Sequence, residues 1–207
     1  MKTGIFLSYK GLGANLLHLS YCHEIAKKFG PITLITLNPK LKEVLIDDPN
    51  FNEIIYLDDF HKKLFDVLKL SSFFKNLNLE KLFIFYPSLR YFLSAKIAGI
   101  KKIYKYPFFG KKNLHLVKAA KKFTEKCLNI NDCPTETKIF INDKKIRNLN
   151  KKDKKNIILG IGSSGPTTKW GYENYTKLVK KLNKNKKYYF YLLCGPNEYD
   201  DAQKIIK

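Results

Sequence analysis

Arginine is nearly missing from this sequence. Arg90 and Arg147 are the only two in 207 residues, yet lysine and arginine together number 39 against 18 acidic side chains, a net charge of +21. Such a balance attracts polyanions: nucleic acid, acidic lipid or phosphorylated glycan. The lysine-for-arginine bias also points to an AT-rich coding sequence, so the charge is as much compositional drift as a binding device. Four cysteines are present, Cys22, Cys127, Cys133 and Cys194, with no C-x-x-C pair. That scatter argues against a zinc knot or a disulfide framework and for reduced thiols. No run of 18 apolar residues occurs, so no membrane-spanning helix is expected. The apolar part of the N-terminus is too short for a signal peptide. Gly11-Leu12-Gly13 lacks the third glycine of a dinucleotide fingerprint.

What the chain does carry is an alternation of apolar runs. Apolar content of 44% is that of a globular protein. Strands are expected at 4–8, 32–37, 54–57, 81–85 and 101–104. Helices are expected from about Asn15 to Phe29 (apolar face Leu17, Tyr21, Cys22, Ile25 and Phe29), at 41–46, from His61 to Phe74, at 88–99 and at 113–128. Strands alternating with helices imply a parallel sheet covered on both faces. Residues 129–155 are polar and lysine-rich, and read as a crossover. A second strand–loop–helix series then starts at Asn156, with its next strand at Tyr188–Leu193 and a helix from Asp200. The expected domains are therefore 1–150 and 151–207. Two strands and two helices fall short of a full doubly wound sheet, so the second domain is expected to be incomplete.

The stretch with the most chemistry is Gly160 to Trp170. It joins a strand to an amphipathic helix through small hydroxyl residues and one lysine. A helix start offers unpaired N–H groups and partial positive charge. Hydroxyls and Lys169 would add hydrogen bonds and a full charge. Taken alone, the loop fits a phosphate seat or an ordinary βα connection with a solvent lysine. Gly11 and Gly13 likewise fit a cleft loop or a tight turn, with Asn15 placed to cap the first helix. Glu198, after Gly195-Pro196, fits a ribose-binding acid or a helix-start glutamate. His18 and Cys22 share a helix face at i, i+4; two ligands do not make a metal site, and core packing is expected. Basic charge with many tyrosines could hold single-stranded nucleic acid, but no nucleic-acid-binding signature is present.

Taken in order, these pieces resemble glycosyltransferase family nine, the ADP-heptose:lipopolysaccharide heptosyltransferases. The family opens with a strand and a G-D-x-L-like turn, here Gly13-Ala14-Asn15-Leu16. Its second domain opens with a G-A/S-S/T loop and a K-W or K-x-W-P element, here Gly162-Ser163-Ser164 and Lys169-Trp170, followed by Glu173-Asn174-Tyr175. Gly195-Pro196-Asn197-Glu198 matches the loop after the next strand. Asp48-Pro49 before Ile54-Ile55, and Ala98-Gly99-Ile100-Lys101-Lys102, add to the likeness. The resemblance spans nearly the whole chain.

It implies an α/β fold of the GT-B type, with two Rossmann-like domains whose sheets are parallel. It implies inverting sugar transfer, without metal or cofactor, from a nucleotide-sugar donor to lipopolysaccharide core or a related anionic glycolipid. Ser163, Ser164 and Lys169 would hold the donor diphosphate and Glu198 the ribose or base side; positive groups would replace a metal ion. A basic protein of this kind is expected in the cytoplasm, in peripheral contact with the inner membrane, with no specific nucleic acid partner. Two departures stand out. The family's aspartate, a candidate general base, falls on Ala14, which cannot take a proton. The family's C-terminal D-x-G-P-x-H motif would lie past Lys207. A degenerate, non-catalytic binding module is therefore the alternative reading, and a basic nucleic-acid-binding protein is a third.

Overall fold

The structure is a computed structural model that describes residues 2–58, 66–107, 114–142, 151–163 and 168–206. The chain divides into two compact units, Met1–Lys145 and Ile146–Lys207. The first contains β1 (Thr3–Leu7), α1 (Leu12–Leu16), α2 (Leu19–Phe29), β2 (Ile32–Thr36), α3 (Leu41–Val44), β3 (Phe51–Tyr56), α4 (Asp66–Asn76), β4 (Lys81–Ile84), α5 (Leu89–Ile97), β5 (Lys102–Lys105) and α6 (Leu116–Leu128). Its five strands are all parallel, in the order β3-β2-β1-β4-β5. The order turns at β1, the first strand in sequence, which is the doubly wound plan.

Alternation along the strands splits the core in two. Ile5, Leu7, Leu34, Phe83 and Phe85 face α2 and α6. Phe6, Ile35, Leu82 and Ile84 face α4 and α5. All five residues of β1 are buried, as a parallel strand covered on both faces requires. Of the helix expected from His61, the part from Asp66 is present; residues 59–65 lie outside the described ones.

The helix expected from Asn15 to Phe29 is instead two helices, α1 and α2, with a break at Leu17 and His18. His18 turns into the core, where its Nδ1–H donates to the Ala14 carbonyl at 2.6 Å and its ring stacks on Tyr9 at 4.7 Å. Leu17, assigned to the apolar face, is exposed. His18 and Cys22 are both fully buried, as core packing predicts.

Asn15 does not cap a helix. It lies inside α1, which starts behind Gly11, and is fully buried. Its Nδ2 donates to the carbonyls of Tyr9 and Gly11, both at 2.8 Å, and its Oδ1 accepts from the Thr36 hydroxyl at 3.1 Å. A primary amide has donors and an acceptor, so one side chain ties the loop after β1 to the end of β2.

Residues 134–142 form neither helix nor strand and run along the first unit. The Thr137 hydroxyl donates to the Leu16 carbonyl at 3.1 Å, and Phe140 meets the His23 ring edge-to-face at 5.7 Å. His23 Nε2 lies 2.8 Å from Asp48 Oδ2. Burial would raise the Asp48 carboxyl, but hydrogen bonds from His23 and Asn50 outweigh it and hold the group below its ordinary value.

The second unit contains β6 (Lys155–Gly160), α7 (Tyr172–Leu182), β7 (Tyr188–Leu193) and α8 (Tyr199–Ile206). β6 and β7 pair in parallel, from Lys155↔Tyr188 to Gly160↔Leu193. The small core is Ile161, Ala202 and Ile205, flanked by Leu159, Tyr175, Val179 and Leu192. Ile158 and Leu193 are exposed. Among the described residues, no helix is long and apolar enough to cross a membrane.

The fold makes a stability prediction at Asn15. Asn15→Ala removes three hydrogen bonds and strands buried partners, and should cost about 2–3 kcal/mol in urea unfolding. A change within the noise of the measurement would show that the amide does not secure the loop.

Candidate functional site

In the second unit the two sequence-predicted loops leave the same edge of the sheet. Gly160 and Leu193 are paired at the carboxyl ends of β6 and β7, and the Ile161 N–H donates to the Leu193 carbonyl at 3.0 Å. The loop to Lys169 and the turn Pro196–Glu198 therefore start side by side. Carboxyl ends of parallel strands are where such sheets hold ligands.

Lys169 and Glu198 meet there. Lys169 Nζ lies 2.8 Å from Glu198 Oε1. The Glu198 side chain is only 10% exposed, whereas Lys169 keeps 32%, so the acid forms the floor and the ammonium the accessible surface. An ammonium has three donors, and further donors remain beyond the bond to the carboxylate. The hydrogen bond from Lys169 and its charge, together with the Gly195 N–H, hold the Glu198 carboxyl below its usual range. The same hydrogen bond, with the charges of Glu198 and Asp201, raises Lys169.

Two glycines make room for this carboxylate. A Cβ on Gly195 would sit 2.9 Å from Glu198 Oε2, and one on Gly162 would sit 3.4 Å from it. The first is closer than real Cβ contacts come, so a side chain at 195 would push the carboxylate off its position. Gly171, at φ 86°, is in the left-handed region that favours glycine, and it starts α7. Behind it, the Tyr175 hydroxyl donates to the Gly160 carbonyl at 2.8 Å, and its ring meets Trp170 edge-to-face at 4.9 Å. The Ser163 and Thr168 hydroxyls hydrogen-bond to each other. Ser164 lies outside the described residues.

Of the sequence-predicted donor residues, the structure thus brings Lys169 and Glu198 into contact and places Ser163 in the same loop. Glu198 stands at a helix start, in the turn Pro196–Glu198 directly before α8, and is engaged with Lys169. Thr168 was not singled out, although a hydroxyl beside the lysine was a visible signal.

The N-terminal loop residues belong to the first unit. Gly11 and Gly13 follow the carboxyl end of β1, where the strand order turns. A Cβ on either would meet nothing within 4 Å among the described residues, which leave the space above them open. The Tyr9 hydroxyl donates to the Phe85 carbonyl at 3.0 Å, linking the ends of β1 and β4. Burial, with the nearby Tyr86 second, pushes the Tyr9 phenol up to about 12, so it stays a neutral donor. Ala14 offers only its carbonyl, which accepts from His18. Tyr9 and Tyr86 at this end were not found from the sequence.

The pair has a defined pH window. A depressed carboxyl contributes stability above its unfolded value and loses it as pH falls through the folded one. A raised ammonium loses its share only as pH rises through its own folded value. Between about 4.5 and 10.5 both groups are therefore charged. Carbon-detected NMR should show the Glu198 carboxyl titrating below 4.5, moving back toward 4.5 in Lys169→Ala. A titration at 4.5 in both proteins would mean that the pair does not form in solution.

No protein-family model and no curated protein matches the sequence. Solved structures do resemble the fold. A glycosyl transferase family 9 protein from Veillonella parvula aligns with TM-score 0.72 and 17% identity, over 99% of this chain and 66% of that one. Escherichia coli ADP-heptose lipopolysaccharide heptosyltransferase II aligns with TM-score 0.70 and 14% identity, over 100% of this chain and 68% of that one. Escherichia coli heptosyltransferase WaaC, solved with ADP-2-deoxy-2-fluoro heptose, aligns with TM-score 0.65 and 12% identity, over 100% and 73%. The chain spans about two thirds of the length of the first two. At these identities the likeness is one of fold, and the α/β plan read from the sequence, two Rossmann-like units of the GT-B type, is the plan this chain shares with them.

Proposed function

We propose that the chain is a glycosyltransferase that draws on a nucleotide-sugar donor of the ADP-heptose type. The observation that carries this reading is the Lys169–Glu198 pair at the carboxyl edge of β6 and β7, with its glycine-lined floor. In this reading Lys169 donates to the donor's diphosphate, and Ser163 and Ser164 add hydroxyl hydrogen bonds. Glu198 positions the ammonium and keeps it charged, and its remaining lone pairs face the ribose. The fold shared with a heptosyltransferase solved with ADP supports the choice of nucleotide.

Transfer with inversion forms a bond from the acceptor oxygen to the anomeric carbon as the bond to the diphosphate breaks. The acceptor proton goes to a base, and negative charge collects on the leaving diphosphate. In this reading Lys169 stabilises that charge, the part a divalent cation plays elsewhere. The acceptor proposed is lipopolysaccharide core or a related anionic glycolipid. A net charge of +21 suits peripheral contact with an anionic inner membrane at its cytoplasmic face. The domains proposed are 1–150, on the acceptor side, and 151–207, on the donor side.

Ala14 favours a second reading, a degenerate transferase that binds donor without transfer. Its side chain cannot accept a proton, and loss of a general base lowers rates by about 10²–10⁴. A radiolabelled-sugar assay on the wild type and Ala14→Asp separates the two. Transfer by the wild type supports the first reading; donor binding without transfer by the wild type, with or without rescue by Ala14→Asp, supports the second.

The site itself is tested by calorimetry with ADP. Weak binding is expected, weakened about tenfold or more by Lys169→Ala and by a smaller factor by Gly195→Ala, which displaces the carboxylate but keeps the lysine. Tight binding untouched by Lys169→Ala would end the assignment.

A further inference from the structure

A cavity of about 520 Å³ lies in the first unit, beside the sheet edge made by β5 and under α6. It is within the size range of small-molecule sites. Its walls are Ile103, Tyr104, Tyr106, Leu114, Phe123 and Cys127, with Ala119 on the helix side. From Ala119 to Cys127 the wall follows α6 for about 12 Å, at 1.5 Å per residue. The space is therefore an elongated apolar slot. Cys127 reports its character: burial pushes the thiol up to about 12, with Lys126 only partly offsetting it.

The charge around the slot has one sign. Lys122 and Lys126, one turn apart on α6, are exposed at its rim, and no carboxylate is among the described lining residues. Neither lysine has an ion-pair partner among the described residues. Lys105 also borders the slot, but its ammonium lies 5.2 Å from the Phe92 ring centre. An apolar slot with two unneutralised cations at its mouth matches one ligand chemistry: a hydrocarbon chain ending in an anion.

We propose that this slot seats the acyl chain of a membrane-held anionic lipid, with Lys122 and Lys126 meeting the head group. The proposal is independent of the transferase reading: it uses no residue of the Lys169–Glu198 site and would stand if that site bound no nucleotide.

The probe is dodecyl phosphate, titrated calorimetrically below its micelle-forming concentration. Binding is expected, with inorganic phosphate and dodecyltrimethylammonium at least about tenfold weaker, since each lacks one half of the match. Lys122→Glu with Lys126→Glu should weaken binding about tenfold. Ala119→Trp, which fills the slot, should abolish it while leaving the circular dichroism spectrum unchanged. Vesicles of phosphatidylglycerol should sediment with the wild type and much less with Ala119→Trp; phosphatidylcholine vesicles should not. Equal binding of inorganic phosphate, or wild-type binding by a folded Ala119→Trp, would reduce the slot to surface attraction and overturn the proposal. So would dodecyl phosphate binding without binding to phosphatidylglycerol vesicles, which would remove the membrane as the source. Should Ala119→Trp not fold, Cys127 in the wild type decides: dodecyl phosphate must slow its modification by a thiol reagent, and an unchanged rate sinks the idea.

Discussion

Every residue of β1 is buried, and this fixes the plan of the first unit. A parallel strand with no solvent face must be flanked by strands on both edges and helices on both sides. β2 and β4 supply the edges; α2 with α6, and α4 with α5, supply the covers. The chain can satisfy this only by winding outward twice from β1, which creates the point where the order turns. The loop after β1 is thereby held at that point, and Asn15 fastens it to β2 from within. The architecture and the open space above Gly11 and Gly13 thus share one cause.

The second unit works on a smaller scale. Its core of Ile161, Ala202 and Ile205 is slight, yet it holds two loops in register because β6 and β7 are paired to their last residues. That register brings Lys169 to Glu198. The carboxylate is almost covered, and the glycines at 162 and 195 leave it only enough room to stay in place. Its low-lying titration keeps it ionised from about pH 4.5 upward, so over that range the accessible ammonium is held at the strand ends instead of sweeping through solvent.

Periodicity made most of the fold legible. The strand at 188–193 was read to the residue, and the other described elements were located within a few positions. The break after α1 was not legible, because the apolar spacing runs through Leu17 unbroken while the force that bends the chain is a single buried imidazole bonding backwards to Ala14. Asn15 resembled a cap because caps and interior amide ties use the same residue type at the same kind of place. Lys169 and Glu198 were each picked out, but their meeting depends on strand register, which no local pattern encodes. The His23–Asp48 contact escaped for the same reason. The slot beside β5 has no motif at all; it arises where an edge strand and an amphipathic helix leave a gap.

That edge strand has one more effect. Among the described residues β5 ends the sheet, so its outer backbone groups have no strand there to pair with, and such a row is an invitation to another chain. Its sequence is Lys102-Ile103-Tyr104-Lys105, preceded by Lys101. A second molecule docking edge to edge would set lysine against lysine along the seam. At this edge the ladder open to extension also repels its own kind, a built-in guard against self-assembly into aggregates.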